Sequence, residues 1–347
     1  MKALFIANAR WKDGLSGSDN IYRMFSDYFP CGKKIWTMQL IDFKPFWLCY
    51  LCRIILSIYQ ALFYKEKFDF VYSCSDFMMD VFPAVILKKR GRVKKWVAGF
   101  YMVAPSENRI YFFTQKITKW LITKYADVVI VTNPTLYHLF PNKAKTWING
   151  GIDTAKTGIK KGKKKYDAVF CGRIHPTKGI DELVEIWKLV RKEKPDAKLA
   201  IIGDGDLGKE YLYKRFVEEF KIGSACYELC GVKFFGHLGD ERYEVFKNSK
   251  MVLYPTPPKY DHFSMSPVDA MACGCPMVSF YIDSVAEMKP EGNFYAVSGC
   301  EDFAKEILFL IDKHRYVYCQ EEARRWALKF DEKKEALRVW EFLKGEL

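Results

Sequence analysis

Four times between residues 166 and 276 a short, nearly unbroken apolar run stops at a glycine or proline turn and continues into a helical stretch. Tyr166-Asp167-Ala168-Val169-Phe170-Cys171 runs into a loop bounded by Gly172 and Gly179, then a helix from Asp181 to about Arg191. Lys198-Leu199-Ala200-Ile201-Ile202 runs into Gly203-Asp204-Gly205-Asp206 and a helix over Lys209 to Phe220. Val232-Lys233-Phe234-Phe235 runs into Gly236-His237-Leu238-Gly239-Asp240 and the helical Glu241 to Phe246, and Met251-Val252-Leu253-Tyr254 runs into the prolines at 255, 257 and 258. Apolar runs of this kind belong to strands covered on both faces. Strands alternating with helices predict an α/β chain with a doubly wound parallel sheet, whose ligands bind beyond the carboxyl ends of the strands.

The chemistry-bearing residues fall at that edge. The proline loop is unsuited to helix, so a helix begins after it, with Ser264 or Ser266 as N-cap and Pro267 in the first turn, and ends at Gly274 and Pro276. Free N–H groups and the positive end of the dipole make such a helix start an anion site. Asp261 before it and Asp269 inside it can accept hydrogen bonds from hydroxyls on either side of a bound phosphate; read singly, they are equally a solvated loop carboxylate and a first-turn Asp. Arg173 and Lys178, in the first loop, supply a planar fork and a point charge suited to a diphosphate.

In combination, Cys171-Gly172-Arg173 with Lys178-Gly179, Gly203-Asp204-Gly205, Gly236-His237-Leu238, and Asp261 eight residues ahead of Asp269-Ala270-Met271-Ala272-Cys273-Gly274-Cys275-Pro276 resemble the retaining GT-B glycosyltransferases called glycosyl transferases group one, or glycosyltransferase family four. The likeness is strong over residues 165 to 290 and weak over residues 1 to 155. It implies two Rossmann-like domains facing a cleft: an acceptor domain (1–155), a basic linker (156–165), a nucleotide-sugar domain (166–328) and a C-terminal helix (329–347) returning to the first domain.

The resemblance further implies that Arg173 and Lys178 hold the donor diphosphate, with Gly172 and Gly203 in the turns beside it. The backbone near Leu238 would meet the base, Asp269 the ribose and Asp261 the sugar hydroxyls, with Phe263, Ser264 and Met265 also lining the donor. Gly17, with Ser18, would approach the phosphates from the first domain, the catalytic group being Asp261, Arg173 and Lys178. The family usually carries Glu at both carboxylate positions, so the two Asp side chains shorten reach by one methylene each without changing charge. It also usually carries a histidine after the strand that ends here near Gly99; Phe100-Tyr101-Met102 stands there, with Tyr101 as stand-in. The activity implied is retaining transfer of a hexose-type sugar from a UDP- or GDP-sugar to a lipid-linked or cell-surface glycan, without metal or other cofactor. A non-catalytic GT-B subunit is the alternative.

In the first half, Ala3 to Ala7, Phe68 to Ser73, Lys95 to Gly99 and Ala126 to Thr132 read as strands, and Asn20 to Tyr28 as a helix. Residues 1–152 hold 22 Lys and Arg against 10 Asp and Glu, and the remaining 195 hold 33 against 32, so nearly all of the +13 net charge lies in the first half. Its densest cluster is Lys88 to Lys95. No nucleic-acid-binding module accompanies the charge. The stretch Phe46 to Tyr64, broken by Arg53, and the aromatic, lysine-bearing stretch Ile110 to Tyr125 suit either helices packed on the sheet or interfacial helices on anionic lipid. No run reaches the ~20 uncharged residues of a spanning helix. The eleven cysteines show no paired metal-knuckle spacing and read as reduced thiols. The expectation is a cytoplasmic protein with peripheral contact at the inner face of a membrane.

Overall fold

The computed structural model describes residues 1–9, 17–38, 40–104, 109–132, 134–148, 150–205, 208–220, 231–260, 264–287, 290–296, 299–312 and 315–347. The chain forms two compact units, one of residues 1–151 and 332–347, the other of residues 152–331.

The first unit contains β1 (Lys2–Ile6), α1 (Gly17–Tyr28), β2 (Gly32–Trp36), α2 (Phe46–Phe63), β3 (Phe68–Ser73), α3 (Met78–Lys89), β4 (Val93–Phe100), α4 (Arg109–Tyr125), β5 (Val128–Val131) and β6 (Ala144–Trp147). The six strands pair in parallel in the order β2-β1-β3-β4-β5-β6. Alternate side chains of the central strands β1, β3, β4 and β5 enter opposite cores. Phe5, Phe70, Tyr72, Val97 and Ile130 pack with the residues of α1, whereas Leu4, Ile6, Val71, Trp96 and Val129 pack with Ala61, Val81, Ala84 and Ile122 of α2, α3 and α4. Burial on both faces is why these strands read as continuous apolar runs.

The last helix, α12 (Glu332–Glu346), belongs to this first unit. It lies on the α1 side of the sheet with Ala336, Val339, Trp340 and Leu343 in the core, and the Trp340 ring sits 5.2 Å from that of Phe29. Buried Glu332 accepts from Arg23 Nη2 at 3.0 Å and from the Tyr28 hydroxyl at 2.8 Å, which fixes the start of α12 against α1.

The second unit contains β7 (Tyr166–Cys171), α5 (Ile180–Glu193), β8 (Leu199–Ile202), α6 (Gly208–Phe220), β9 (Val232–Gly236), α7 (Arg242–Lys247), β10 (Ser249–Tyr254), α8 (Met265–Ala272), β11 (Met277–Phe280), α9 (Asp283–Glu287), β12 (Asn293–Ala296), α10 (Cys300–Ile311) and α11 (Tyr316–Ala327). Its strands are parallel in the order β12-β11-β10-β7-β8-β9, around one continuous core. The chain order reverses beside β7, so the loops after β7 and β10 flank the point where a doubly wound sheet opens a crevice.

Three details depart from the sequence reading. The basic run 160–165 is docked on the second unit: Lys160 Nζ donates to Asn248 Oδ1 at 2.7 Å, and Lys164, buried, donates to the Lys247 carbonyl at 2.8 Å. The proline loop holds one turn of 3₁₀ helix, Pro258–Tyr260. α2, with 18 residues and a mean hydropathy of 1.6, is long and apolar enough by length and composition alone to span a bilayer, and 22% of it is buried in the protein. The nine described cysteines are free thiols.

Arg53 breaks the apolar sequence of α2 and is wholly buried. Its Nε donates to the Ile41 carbonyl at 2.9 Å and its Nη1 to the Asn8 carbonyl at 3.2 Å. Arg53→Ala removes both charge-assisted bonds and opens a void, and is expected to destabilise the first unit by about 2–4 kcal/mol, read by chemical denaturation.

Candidate active site

The carboxyl edge of the second sheet is built by close backbone packing. Gly172 N–H donates to the Ile202 carbonyl at 3.0 Å, Gly203 N–H to the Gly236 carbonyl at 2.7 Å, and Ile174 N–H to the Asp204 carbonyl at 3.0 Å. The turns after β7, β8 and β9 are therefore one hydrogen-bonded layer. Gly203 has φ +136°, and a Cβ there would lie 1.9 Å from the Gly172 carbonyl oxygen. Gly179, at φ +72°, approaches the Pro255 carbonyl so closely that a Cβ would lie 1.8 Å from it, which joins the β7 loop to the β10 loop.

On this layer stand the cations. The 3₁₀ turn Pro176–Lys178 is capped by His175, whose Nδ1 lies 2.8 Å from Thr177 Oγ1 and accepts from Thr177 N–H at 3.2 Å. Arg173 is exposed and Lys178 half-buried. Burial, and then the neighbouring Arg173 charge, lower the Lys178 ammonium to about 8. Two cations held together at this cost form an electropositive point beyond the strand ends, where an anion is favoured. Close by, Thr256 is fully buried, and its hydroxyl has no hydrogen-bond partner among the described residues.

Asp269 occupies the second turn of α8, whose N-cap is Ser264 in extended conformation, with half-buried Met265 as first helical residue against the core. The carboxylate is held by two residues that the sequence reading did not single out. Tyr243 donates from its hydroxyl to Asp269 Oδ1 at 3.2 Å, and Arg242 Nη2 lies 3.3 Å from Oδ2. Arg242 also donates to the Gly239 carbonyl at 2.9 Å and stacks at 4.5 Å over the Tyr243 ring. Burial works against the Arg242 charge, but Asp269, with smaller contributions from Tyr243 and Cys171, more than offsets it, and the guanidinium is raised above its ordinary value. Burial, then Asp269, raises the Tyr243 hydroxyl far above its ordinary range, so it remains a donor. Beneath them burial, reinforced by Asp269, pushes the Cys171 thiol up to about 12, so it is inert.

Gly172, Arg173, Lys178, Gly203 and Asp269 thus share one edge of one sheet. Leu238 lies half-buried in the turn after β9. Asp261 and Phe263 lie outside the described residues. Gly17 opens α1 in the first unit. Tyr101, the expected stand-in for a histidine, packs against the core of the first unit. Its hydroxyl is hydrogen-bonded to that of Tyr72, and burial raises it far above the ordinary tyrosine range.

Residues 165–313 match the profile of the family described as Glycosyl transferases group 1. The chain is 23% identical over 202 residues to an uncharacterized glycosyltransferase of Haemophilus influenzae, covering 56% of this chain and 54% of that protein. It is 26% identical over 172 residues to a poly(glycerol-phosphate) alpha-glucosyltransferase of Bacillus subtilis, covering 48% of this chain and 24% of that protein. The chain therefore spans about half the length of the one and a quarter of the other. In structure it is similar to Anabaena HepE, solved in complex with UDP and glucose, with a TM-score of 0.71, 17% identity and 99% of each chain covered. The fold is GT-B.

Proposed function

We propose that this chain is a glycosyltransferase that moves a hexosyl group from a UDP- or GDP-sugar to an acceptor hydroxyl with retention of configuration. The observation that carries the reading is the pairing, on one glycine-built sheet edge, of the Arg173/Lys178 cations with an Asp269 carboxylate set by Arg242 and Tyr243. That arrangement supplies charge for a diphosphate and an acceptor oxygen for a ribose hydroxyl. The family match over this unit and the UDP and glucose bound by HepE support the same assignment.

In the transfer, the bond from the anomeric carbon to the diphosphate oxygen breaks and one to the acceptor oxygen forms, the acceptor proton passing to the departing phosphate. Negative charge grows on the diphosphate, where Arg173, Lys178 and the α8 N-terminus stabilise it without a metal ion. Asp261 is assigned to the donor sugar. The acceptor is a lipid-linked or cell-surface glycan, and the chain works in the cytoplasm.

The test is mass spectrometry of the purified chain incubated with UDP- and GDP-hexoses and a membrane lipid extract, with the anomeric configuration of the product read by NMR. Donor turnover is expected, lost in Asp269→Ala and Lys178→Ala. Tight nucleotide-sugar binding with neither transfer nor hydrolysis for any acceptor would establish instead a non-catalytic sugar-nucleotide-binding subunit. An inverted product would remove the retaining assignment.

A further inference from the structure

Helices that flank a sheet normally bury their apolar side, and α2 does the reverse. Its buried stripe is Cys49, Arg53, Ser57 and Ala61, spaced four apart. On the opposite side Trp47, Leu51, Ile55, Tyr59 and Phe63 are 67, 46, 56, 61 and 65% exposed. α4 repeats the pattern with Ile110, Phe113 and Trp120, which are 77, 65 and 57% exposed.

The two helices share a side of the first unit. Both pack on α3, which lies between them, and the aromatic ladder Tyr50, Phe77 and Tyr111 links their N-terminal halves, with centroid spacings of 6.4 and 5.1 Å. Neither helix contains an acidic residue. Lys44, Lys65 and Lys67 flank α2, alongside Asp42 and a Glu66 whose carboxylate is paired with Lys2 and Lys34, while Lys116 lies 4.4 Å over the Phe112 ring and Lys124 5.0 Å over that of Trp120.

We propose that α2 and α4 form a docking face for an anionic lipid bilayer, both helices lying in the plane of the interface with their apolar side chains in the acyl boundary and their lysines among the headgroups. Exposed apolar stripes bordered by cations and free of acids fit that surface. A second copy of the chain fits poorly, because it would bring together two faces whose helices carry cations and no acid. The anchor of α2 decides orientation. Arg53 is tied at mid-helix to Ile41 and Asn8, so α2 stays on the protein and does not cross the membrane. The proposal rests on the first unit's surface alone and is independent of the sugar-transfer reading.

The experiment is flotation of the purified full chain with vesicles of equimolar phosphatidylglycerol and phosphatidylcholine, against phosphatidylcholine alone. Binding to the anionic vesicles that weakens with salt is expected, with tryptophan quenching by brominated lipid reduced in Trp47→Phe. Ile55→Ser combined with Leu62→Ser, Leu62 being 46% exposed, is expected to lower partitioning roughly 10- to 100-fold with unchanged thermal unfolding. The proposal is overturned by failure to float with anionic vesicles at low salt, or by undiminished binding of the serine pair. A lipid-free dimer that the serine pair converts to monomer, without flotation, would make the occupant a second copy. Resistance of the bound protein to alkaline carbonate would make α2 a spanning helix.

Discussion

Lys178→Met is expected to lower kcat/KM for the sugar nucleotide by about 10²–10³, the cost of losing one preorganised charge beside a departing anion. Methionine keeps most of the apolar stem and removes the ammonium, so the loss isolates charge from packing. Burial and the Arg173 charge hold Lys178 at about 8, below its ordinary 10.5. Keeping it protonated in the empty site costs free energy, which a bound diphosphate offsets. Between pH 8 and 10.5 the folded protein therefore binds fewer protons at this group than the unfolded chain does, and its contribution to stability rises with pH through that window. Donor binding moves the other way. Calorimetric titration with UDP should show affinity falling above pH 8 by up to tenfold per unit, a dependence absent in Lys178→Met. An affinity in the native protein that is flat to pH 10 would remove Lys178 from the diphosphate site.

The four strand and turn units of the second half were legible because each carries its own local signal, an apolar run and then a glycine or proline. β11 and β12 lack it: each is four residues long, and their pairing with the sheet is set by neighbours distant in sequence. α3 contains Pro83, an ordinary helix breaker that is accommodated in its second turn. Arg242 and Tyr243 meet Asp269 only because α7 packs beside α8, and nothing within their own segment announces a carboxylate 27 and 26 positions away. The Lys88 to Lys95 cluster reads as free surface charge, yet much of it is engaged internally. Lys88 pairs with Asp127 and Lys94 with Asp69, while Arg90, Arg92 and Lys95 donate to the carbonyls of Ala61, Lys65 and Glu346. In α2 an almost wholly apolar sequence gives no periodicity from which to choose a face, so Arg53 looked like an interruption when it is the anchor.

The glycine layer makes the second large effect a matter of steric contact. Gly203→Ala is expected to destabilise the second unit by about 3–5 kcal/mol, lowering its melting temperature by roughly 6–20 °C, because the new methyl would lie 1.9 Å from the Gly172 carbonyl oxygen. That oxygen cannot move alone. Gly172 N–H is bonded to Ile202 and Gly203 N–H to Gly236, so relief of the clash separates the ends of β7, β8 and β9 together. Gly236→Ala provides the internal comparison: Gly236 also has positive φ, at +70°, but a Cβ there meets nothing within 4 Å, so only the backbone penalty of about 1 kcal/mol applies. Calorimetric unfolding of the two variants separates conformational strain from contact. Equal losses in both would show that the ends of β7 and β8 part freely and that the layer beneath Arg173 and Lys178 is not rigid.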